Sequence, residues 1–239
     1  MGLGHGASIV RDGLVLYLDA ANKKSYGGSG TVWNDLSGNG NGGTLVNSVG
    51  YNSNNNGSMV FDGVDDLITL NSSAQFGPDT PSFSIEIVYQ SNINSIRTIP
   101  STIYGRYRYY FDHVYTNNSA RFAYVKKEYE SSGSFVVNQL NFSGLNPKGS
   151  WNVLTVTYMK DGENGTLYGY VNGAYNGTST ATRISNYPLA FEYIGNSGHS
   201  SANYYVFDGN VGSVKIYNRI LSNTEIQQNF NAIRGRYGI

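Results

Sequence analysis

The sequence predicts an all-β protein, a sandwich of antiparallel sheets with one short helix near its C-terminal end. Three observations support this fold class. Short apolar or alternating segments recur along the chain, each bounded by Gly, Asn, Asp or Ser. The chain contains 30 glycines and 21 tyrosines, which suits many turns joined by half-buried strands. A helical pattern with a capping sequence follows only after residue 221.

Composition excludes several classes of function. Only 13% of the residues are charged and the formal net charge is zero, against roughly 25% charged residues in an average domain. A protein that binds nucleic acid through its phosphates needs many Lys and Arg contacts, so we expect no nucleic-acid partner. The chain has no cysteine, which excludes disulfides, thiolate metal sites and cysteine nucleophiles.

The first residues predict an arm in front of one domain. Residues 1–12 are small and glycine-rich, whereas residues 13–239 show no linker or internal repeat. We therefore predict an N-terminal arm, 1–12, and a single sandwich domain, 13–239. The arm lacks the apolar run of a secretory signal peptide, and no stretch approaches the ~20 apolar residues that span a bilayer. We expect a protein made in a cytoplasm, without membrane insertion.

Two segments far apart in the sequence look like partners. Residues 13–22 and residues 207–219 are both apolar-rich and are both closed by Asp, Asn and Gly. We predict that these first and last strands pair with each other. The domain would then close over itself as one unit.

The strands between them follow from alternation of apolar and polar residues. Residues 37–57 form a Ser/Asn/Gly-rich tract that predicts a loop. Asn172-Gly173 predicts a hairpin, because both residues accept the positive φ of a type I′ turn. Strands are predicted at 58–63 and 66–70, on either side of an Asp-rich turn, and at 82–89, 151–158 and 166–171.

One helix is predicted near the end of the sequence. Residues 222–225, Ser-Asn-Thr-Glu, form a capping box in which Ser222 and Glu225 bind each other's free backbone amides. Ile226, Phe230 and Ile233 follow at helical spacing, and Gly235 is the expected stop. This apolar stripe predicts packing on a sheet.

The ordered set of segments resembles the laminin-G-like branch of the concanavalin A-like lectin/glucanase superfamily. The resemblance implies a concanavalin A-like jelly roll of two curved antiparallel sheets, whose concave face or loop rim often binds sugars. The segments that carry it are 13–22, 33–40 (WNDLSGNG), 61–66 (FDGVDD), 83–89, 151–158, 170–173 (YVNG), 194–195, 207–219 and 221–226.

Residues 12–19 and 234–239 further resemble bacteriophage virion-associated members of this superfamily. This implies a non-enzymatic virion structural protein, a capsid or tail decoration or fibre, that presents a lectin-like domain for attachment to a glycan or host surface. The implied partners are other virion proteins and a cell-surface glycan, with an oligomeric state in the particle and a virion localisation. Two alternatives are a free carbohydrate-binding module or bacterial surface protein and, less favoured, a polysaccharide hydrolase.

The chain departs from the family pattern between about residues 93 and 150, which are unusually rich in Tyr and Arg. An aromatic and cationic run stands there, and a later loop adds a histidine and a tyrosine. Sugar binding, a subunit contact and ordinary sheet packing are all compatible with these residue types. The candidate ligand-binding residues are Arg106, Tyr107, Arg108, Tyr109, Tyr110, His199 and Tyr204.

No residues match a known catalytic pattern. Retaining glucanases need two carboxylates about 5 Å apart, and those of this fold carry Glu-x-Asp-x-x-Glu. Glu128 and Glu130 could share a strand face, but they lack the central Asp and stand beside Lys126 and Lys127. We therefore expect no catalytic residues and no enzyme activity.

A structural Ca²⁺ ion is the cofactor that the resemblance implies. Asp208 matches the family position that, with carbonyls near the turn at residues 61–63, often holds this ion. Asp62, Gly63 and Asp208 are therefore the candidate metal ligands. The alternative is that these aspartates only form turns by binding their own backbone amides.

Overall fold

Two antiparallel sheets of eight strands each face one another, and an α-helix packs on the outer side of the first. The computed structural model describes residues 7–76, 82–92, 101–105, 109–114, 119–127, 135–162, 164–181, 189–195 and 206–239. The all-β class, the two antiparallel sheets and the C-terminal helix are confirmed. In the described part of the chain, no helix is long and apolar enough to cross a membrane.

Sheet 1 has the order β14-β13-β12-β7-β16-β5-β4, with β1 also paired to β16. Its strands are β1 (Leu14–Asp19), β4 (Gly50–Asn52), β5 (Ser58–Asp62), β7 (Phe83–Ser91), β12 (Trp151–Asp161), β13 (Asn164–Val171), β14 (Ala174–Ala181) and β16 (Asp208–Tyr217).

Sheet 2 has the order β11-β10-β9-β8-β15-β6-β3-β2. Its strands are β2 (Val32–Trp33), β3 (Gly43–Val46), β6 (Leu67–Phe76), β8 (Ser101–Gly105), β9 (Tyr109–Val114), β10 (Ser119–Lys127), β11 (Phe135–Phe142) and β15 (Leu189–Ile194). A 3-10 turn, Asn54–Asn56, precedes β5, and helix α1 spans Asn223–Tyr237.

The predicted pairing of the first and last strands is confirmed. On one side, β16 pairs with β7 along most of its length. On the other side, the first half of β16 pairs with β5 and the second half with β1, where Leu18 lies opposite Val214. Because β16 forms hydrogen bonds along both of its edges, it joins β1 from the start of the chain and β7 from further along it in one sheet.

The core lies between the two sheets and follows the alternation of the strands. Ile85, Ile87 and Val156 of sheet 1 face Phe122 and Phe191 of sheet 2, and all five side chains are buried. Strand β7 presents its other face away from this core, toward the helix. Sheet 1 is therefore buried on both faces at its centre.

The WNDLSGNG segment and the following Asn41 cover the free edge of β1. The Asp35 carboxylate accepts hydrogen bonds from the backbone amides of Tyr17 (2.9 Å) and Asn41 (3.0 Å). Ser37 Oγ and Asn41 Nδ2 both donate to the carbonyl of Val15, at 2.8 and 2.9 Å. An uncovered edge strand would leave these backbone groups free to pair with another chain. The motif therefore stabilises and protects this edge.

The capping box at the start of α1 is present as predicted. Ser222 and Glu225 exchange the expected hydrogen bonds, and both carboxylate oxygens of Glu225 also accept from Arg219. The predicted stop at Gly235 is wrong, because the helix continues through Tyr237. Gly238 ends it instead, since this residue adopts the left-handed conformation that closes a helix (φ 69°).

Helix α1 covers the outer face of sheet 1. Phe230, Ile233 and Tyr237 pack against the outer side chains of β7 and β12, and the rings of Tyr237 and Trp151 have centroids 4.5 Å apart. The segment before β1 lies on the same side. There the amide of Val10 donates to Asn229 Oδ1 of the helix at 2.9 Å. The outer face of sheet 1 is thus closed to a ligand in this region.

Candidate functional sites

A buried ion pair lies beneath the helix. Lys215 Nζ of β16 and Glu86 Oε1 of β7 are 2.7 Å apart, and both side chains have 0% exposure. Ser213 and Thr155 supply further hydrogen bonds to the two charges. A carboxylate this deeply buried and paired cannot contact a substrate. Glu86 therefore belongs to the structure of sheet 1.

The outer face of sheet 2 is exposed at both of its ends. In the described residues of this face, Thr44 and Asn71 lie at one end, while Gln139 and Asn141 lie at the other, and all four are exposed. Thr44 Oγ1 donates to Asn71 Oδ1 at 3.0 Å, and Arg121 Nη1 donates to Gln139 Oε1 at 3.3 Å. The surface therefore offers amide, hydroxyl and guanidinium groups to solvent.

Three tyrosines form a line across the middle of this sheet, which we call the tyrosine row: Tyr193, Tyr104 and Tyr110. The strand register pairs Tyr193 of β15 with Tyr104 of β8, and Tyr104 with Tyr110 of β9. Residues directly opposite each other in antiparallel strands share a face. By register the three positions lie on one face of sheet 2, and Tyr193, which is half-buried next to the buried Ile194, identifies this face as the outer one.

The structure places two of the candidate ligand-binding residues. Tyr109 and Tyr110 begin strand β9, at adjacent register positions and therefore on opposite faces of sheet 2. The other five candidates, Arg106, Tyr107, Arg108, His199 and Tyr204, lie outside the described residues. Sequence reasoning missed Tyr104 and Tyr193, because only the pairing of β8, β9 and β15 aligns them with Tyr110.

The Asp-rich turn between β5 and β6 brings three carboxylates together. Asp62, Asp65 and Asp66 each offer one oxygen, and these oxygens lie within 4.8 Å of one another. The turn is held by its own backbone, since the amide of Asp62 donates to Asp66 Oδ2 and the amide of Val64 donates to Asp62 Oδ1. It connects the two sheets at the rim of the sandwich.

Asp66 is unlike an ordinary turn aspartate. Its side chain is buried, with 4% exposure, and Oδ1 has no hydrogen-bond partner. Burial raises the pKa of the Asp66 carboxyl, and the nearby charges of Asp62 and Asp65 raise this pKa further, while the bond from the Asp62 amide opposes them. The turn therefore holds two exposed carboxylates, those of Asp62 and Asp65, close to the buried carboxyl of Asp66.

Asp208 lies beside this turn without joining the three converging carboxylates. It pairs in register with Asp62, and a Cβ at Gly63 would lie 2.9 Å from the Asp208 Cβ. Its Oδ1 accepts from Asn92 Nδ2 at 3.3 Å. Of the predicted metal ligands, Asp62 belongs to the group of three carboxylates and Gly63 lies within the same turn, while Asp208 stands beside it on β16.

Solved structures with the same fold include binding domains and a domain of a sugar-degrading enzyme. The binding domain of Paraclostridial Mosquitocidal Protein 1 matches 93% of this chain, with 16% identity and a TM-score of 0.63. The binding domain of botulinum neurotoxin DC, in complex with rat synaptotagmin II, matches 94%, with 16% identity and a TM-score of 0.66. This chain spans about half of each of those chains, at 52%.

A third similar structure is matched over nearly its full length. Domain 4 of AbnA, an extracellular arabinanase from Geobacillus stearothermophilus, in complex with arabinotriose, shares 14% identity and a TM-score of 0.56. The match covers 91% of this chain and 98% of that domain. At these identities the likeness establishes the fold.

Among curated proteins, none matches this sequence. Residues 62–227, well over half of the chain, match the laminin-G-like family described as the concanavalin A-like lectin/glucanases superfamily. The matched region begins at Asp62 of the acidic turn and ends within helix α1. The sequence match and the two-sheet fold agree, and the chain belongs to the concanavalin A-like lectin/glucanases superfamily.

Proposed function

We propose that this chain is a non-enzymatic, lectin-like domain that binds a glycan on the outer face of sheet 2 and is displayed on a bacteriophage particle. The observation that supports the glycan proposal is the tyrosine row, which lies on the opposite side of the sandwich from helix α1. The row crosses three neighbouring strands, so its length is about two strand spacings, ~10 Å. That width suits a short segment of an oligosaccharide.

The chemistry of this face fits a sugar ligand. Tyrosine offers an apolar ring and a hydroxyl at low cost in side-chain entropy, so it can stack on the C–H face of a sugar and bind its hydroxyls. Arg121, Gln139 and Asn141 present hydrogen-bonding groups on the same face. Apolar rings combined with a few polar groups are typical of sites for small ligands.

Two relatives in fold bound ligands of different kinds. The arabinanase domain was solved with arabinotriose, and the neurotoxin domain with synaptotagmin II, a protein. The first supports a sugar ligand for this fold. The second makes a protein partner the alternative outcome of the experiment below.

A binding measurement on purified protein tests the glycan proposal. A glycan array would identify a ligand for the wild-type chain, and calorimetry would then compare Tyr193→Ala and Tyr104→Ala/Tyr110→Ala with it. We expect both variants to lose at least tenfold in affinity, about 1.4 kcal/mol or more, since the stacking contacts of an aromatic ring reach this size. Tyr175→Ala is the matched control, because Tyr175 is 58% exposed on β14 of the other sheet.

Two results would contradict the glycan proposal: a wild-type chain that binds no glycan, or tyrosine-row variants that bind as well as Tyr175→Ala. Circular dichroism of each variant checks that the fold is kept. If the row variants bind glycan normally but fail to assemble into particles, the tyrosine row is a subunit contact instead.

The bacteriophage role rests on the sequence resemblance at residues 12–19 and 234–239. Mass spectrometry of purified particles tests it directly, and we expect peptides of this chain at a fixed ratio to the capsid protein. Absence of the chain from washed particles would remove the virion role. The glycan proposal would then stand for a free carbohydrate-binding module.

A further inference from the structure

The strands at the edges of the two sheets differ in how well they are protected from other chains. Strands β2 and β4 are only two and three residues long, and the WNDLSGNG segment with Asn41 covers the free edge of β1. Short or covered edge strands offer little to another chain. Strand β14 is different, because it has eight residues and, in the described part of the chain, pairs with β13 alone.

Strand β14 also lacks the residues that usually keep an edge strand from pairing. Natural proteins place lysines, other charged residues or prolines on exposed edges. The sequence of β14, AYNGTSTA, contains none of these. A bulge at Asn176 interrupts the pairing with β13, so the regular part of the strand is Gly177–Ala181. In an antiparallel sheet such a regular edge presents backbone groups that a second extended strand can bind.

The edge of β14 is open to solvent. Tyr175 is 58% exposed, and Thr178 and Thr180 are exposed as well. Ala181 is fully buried between the sheets, so alternation along the regular part places Thr178 and Thr180 on the outer face. The small side chains of these threonines leave room for a neighbouring strand at the usual spacing of about 4.8 Å.

We propose that β14 pairs antiparallel with β14 of a second copy of this chain, so that the two copies of sheet 1 join into one sheet. The absence of charge favours the strand's own copy as partner. In a pair of identical antiparallel strands, a charged residue would lie near the same charge on the copy, and like charges across a strand pair are destabilising. The adjacent edge of sheet 2 fits this arrangement, because β11 lies beside β14 and is also uncharged.

The size of this contact predicts a reversible dimer. One pair of short strands buries less than the ~1,600 Å² of a standard interface, so we expect a dissociation constant in the micromolar range. Antiparallel pairing requires a two-fold axis perpendicular to the joined sheet, which leaves the tyrosine rows of both copies facing the same side. Bivalent binding to a glycan-bearing surface would follow. That consequence rests on the proposed glycan function, whereas the dimer itself does not.

Sedimentation velocity of the full chain through the micromolar range tests the pairing. We expect the wild-type chain to shift from monomer to dimer as its concentration rises. Thr178→Lys/Thr180→Lys adds positive charges to both edges and should weaken the dimer about tenfold or more, because these charges repel across the contact. Gln227→Lys/Asn231→Lys is the matched control, since it adds the same charge on the exposed face of helix α1 and should dimerise as wild type does.

Three results would overturn the pairing of β14: a wild-type chain that stays monomeric throughout, aggregates of mixed size without a distinct dimer, or a dimer that the β14 variant leaves intact. Circular dichroism of both variants checks that the sheets are kept. No glycan enters this experiment, so its outcome is independent of whether the tyrosine row binds sugar.

Discussion

Asn176 of β14 binds both backbone groups of Ser143, which follows β11 in the opposite sheet. Its Oδ1 accepts from the Ser143 amide at 3.0 Å, and its Nδ2 donates to the Ser143 carbonyl at 3.0 Å. The side-chain amide thereby acts as a strand partner and joins the two sheets at one open side. Nearby, a Cβ at Gly169 would lie 2.8 Å from Leu140 Cδ2, so the sheets approach closely here.

We expect Asn176→Ala to lower the free energy of unfolding by about 1–2 kcal/mol, since it removes two partly exposed neutral hydrogen bonds. Urea denaturation measures this change. Thr180→Ala, at an exposed position of the same strand, is the control and should have little effect. An Asn176→Ala variant as stable as this control would show that the contact does not hold the sheets together.

Asp35 should be a strong determinant of stability. Its carboxylate accepts from the backbone amides of Tyr17, Ser37 and Asn41. Asp35→Ala leaves these donors along the β1 edge without an acceptor, so we expect a loss of about 3 kcal/mol by urea denaturation. Asn39→Ala removes one side-chain donor to the carbonyls of Leu14 and Val15 in the same strand and should cost less. Equal losses for the two variants would contradict the role assigned to Asp35.

The buried pair of Glu86 and Lys215 should respond differently to single and double replacement. Lys215→Met alone leaves a buried carboxylate uncompensated, and we expect it to cost about 3–5 kcal/mol in thermal unfolding. Glu86→Leu/Lys215→Met removes both charges and should recover most of that loss. A double variant that is no more stable than Lys215→Met would contradict the expectation. It would show that the loss does not come from an unpaired buried charge.

Acid should weaken the start of helix α1. The hydrogen bonds from Arg219, together with those from Ser222, lower the pKa of Glu225 from 4.5 to about 2. A carboxyl with a lower pKa in the folded state stabilises the protein above its unfolded pKa, and this stabilisation is lost as the pH falls. We therefore expect stability to decrease between pH 4.5 and 2. Glu225→Gln should reduce that pH dependence, as measured by melting temperature across this range.

Local patterns predicted the local structure well. Asn172 and Gly173 adopt positive φ values of 49° and 78°, as the type I′ hairpin requires. The capping box at Ser222 forms because its partners are only three residues apart. Two predictions were wrong. The tract 37–57, predicted as a loop, contains β3 and β4. Gly235 does not end the helix, because glycine is tolerated inside a helix whose apolar face is packed on a sheet, and the left-handed position follows at Gly238.

The candidate sites depended on contacts that a single sequence does not contain. Tyr193 and Tyr110 stand far apart in the chain and align only through β8. The acidic turn was visible in the sequence, and two of the three predicted metal ligands, Asp62 and Gly63, lie in it. The orientation of Asp66 into a buried position was not, because it follows from how β5 and β6 diverge into different sheets.

The central position of β16 in sheet 1 determines how early in synthesis the domain can fold. During translation, the edges of β1, β5 and β7 leave the ribosome long before the strand that pairs with all three. Until that strand emerges, the nascent chain exposes unpaired apolar strands, a state that favours aggregation and recruits chaperones. The chain must therefore be synthesised through Tyr217 before this domain can acquire its cooperative stability.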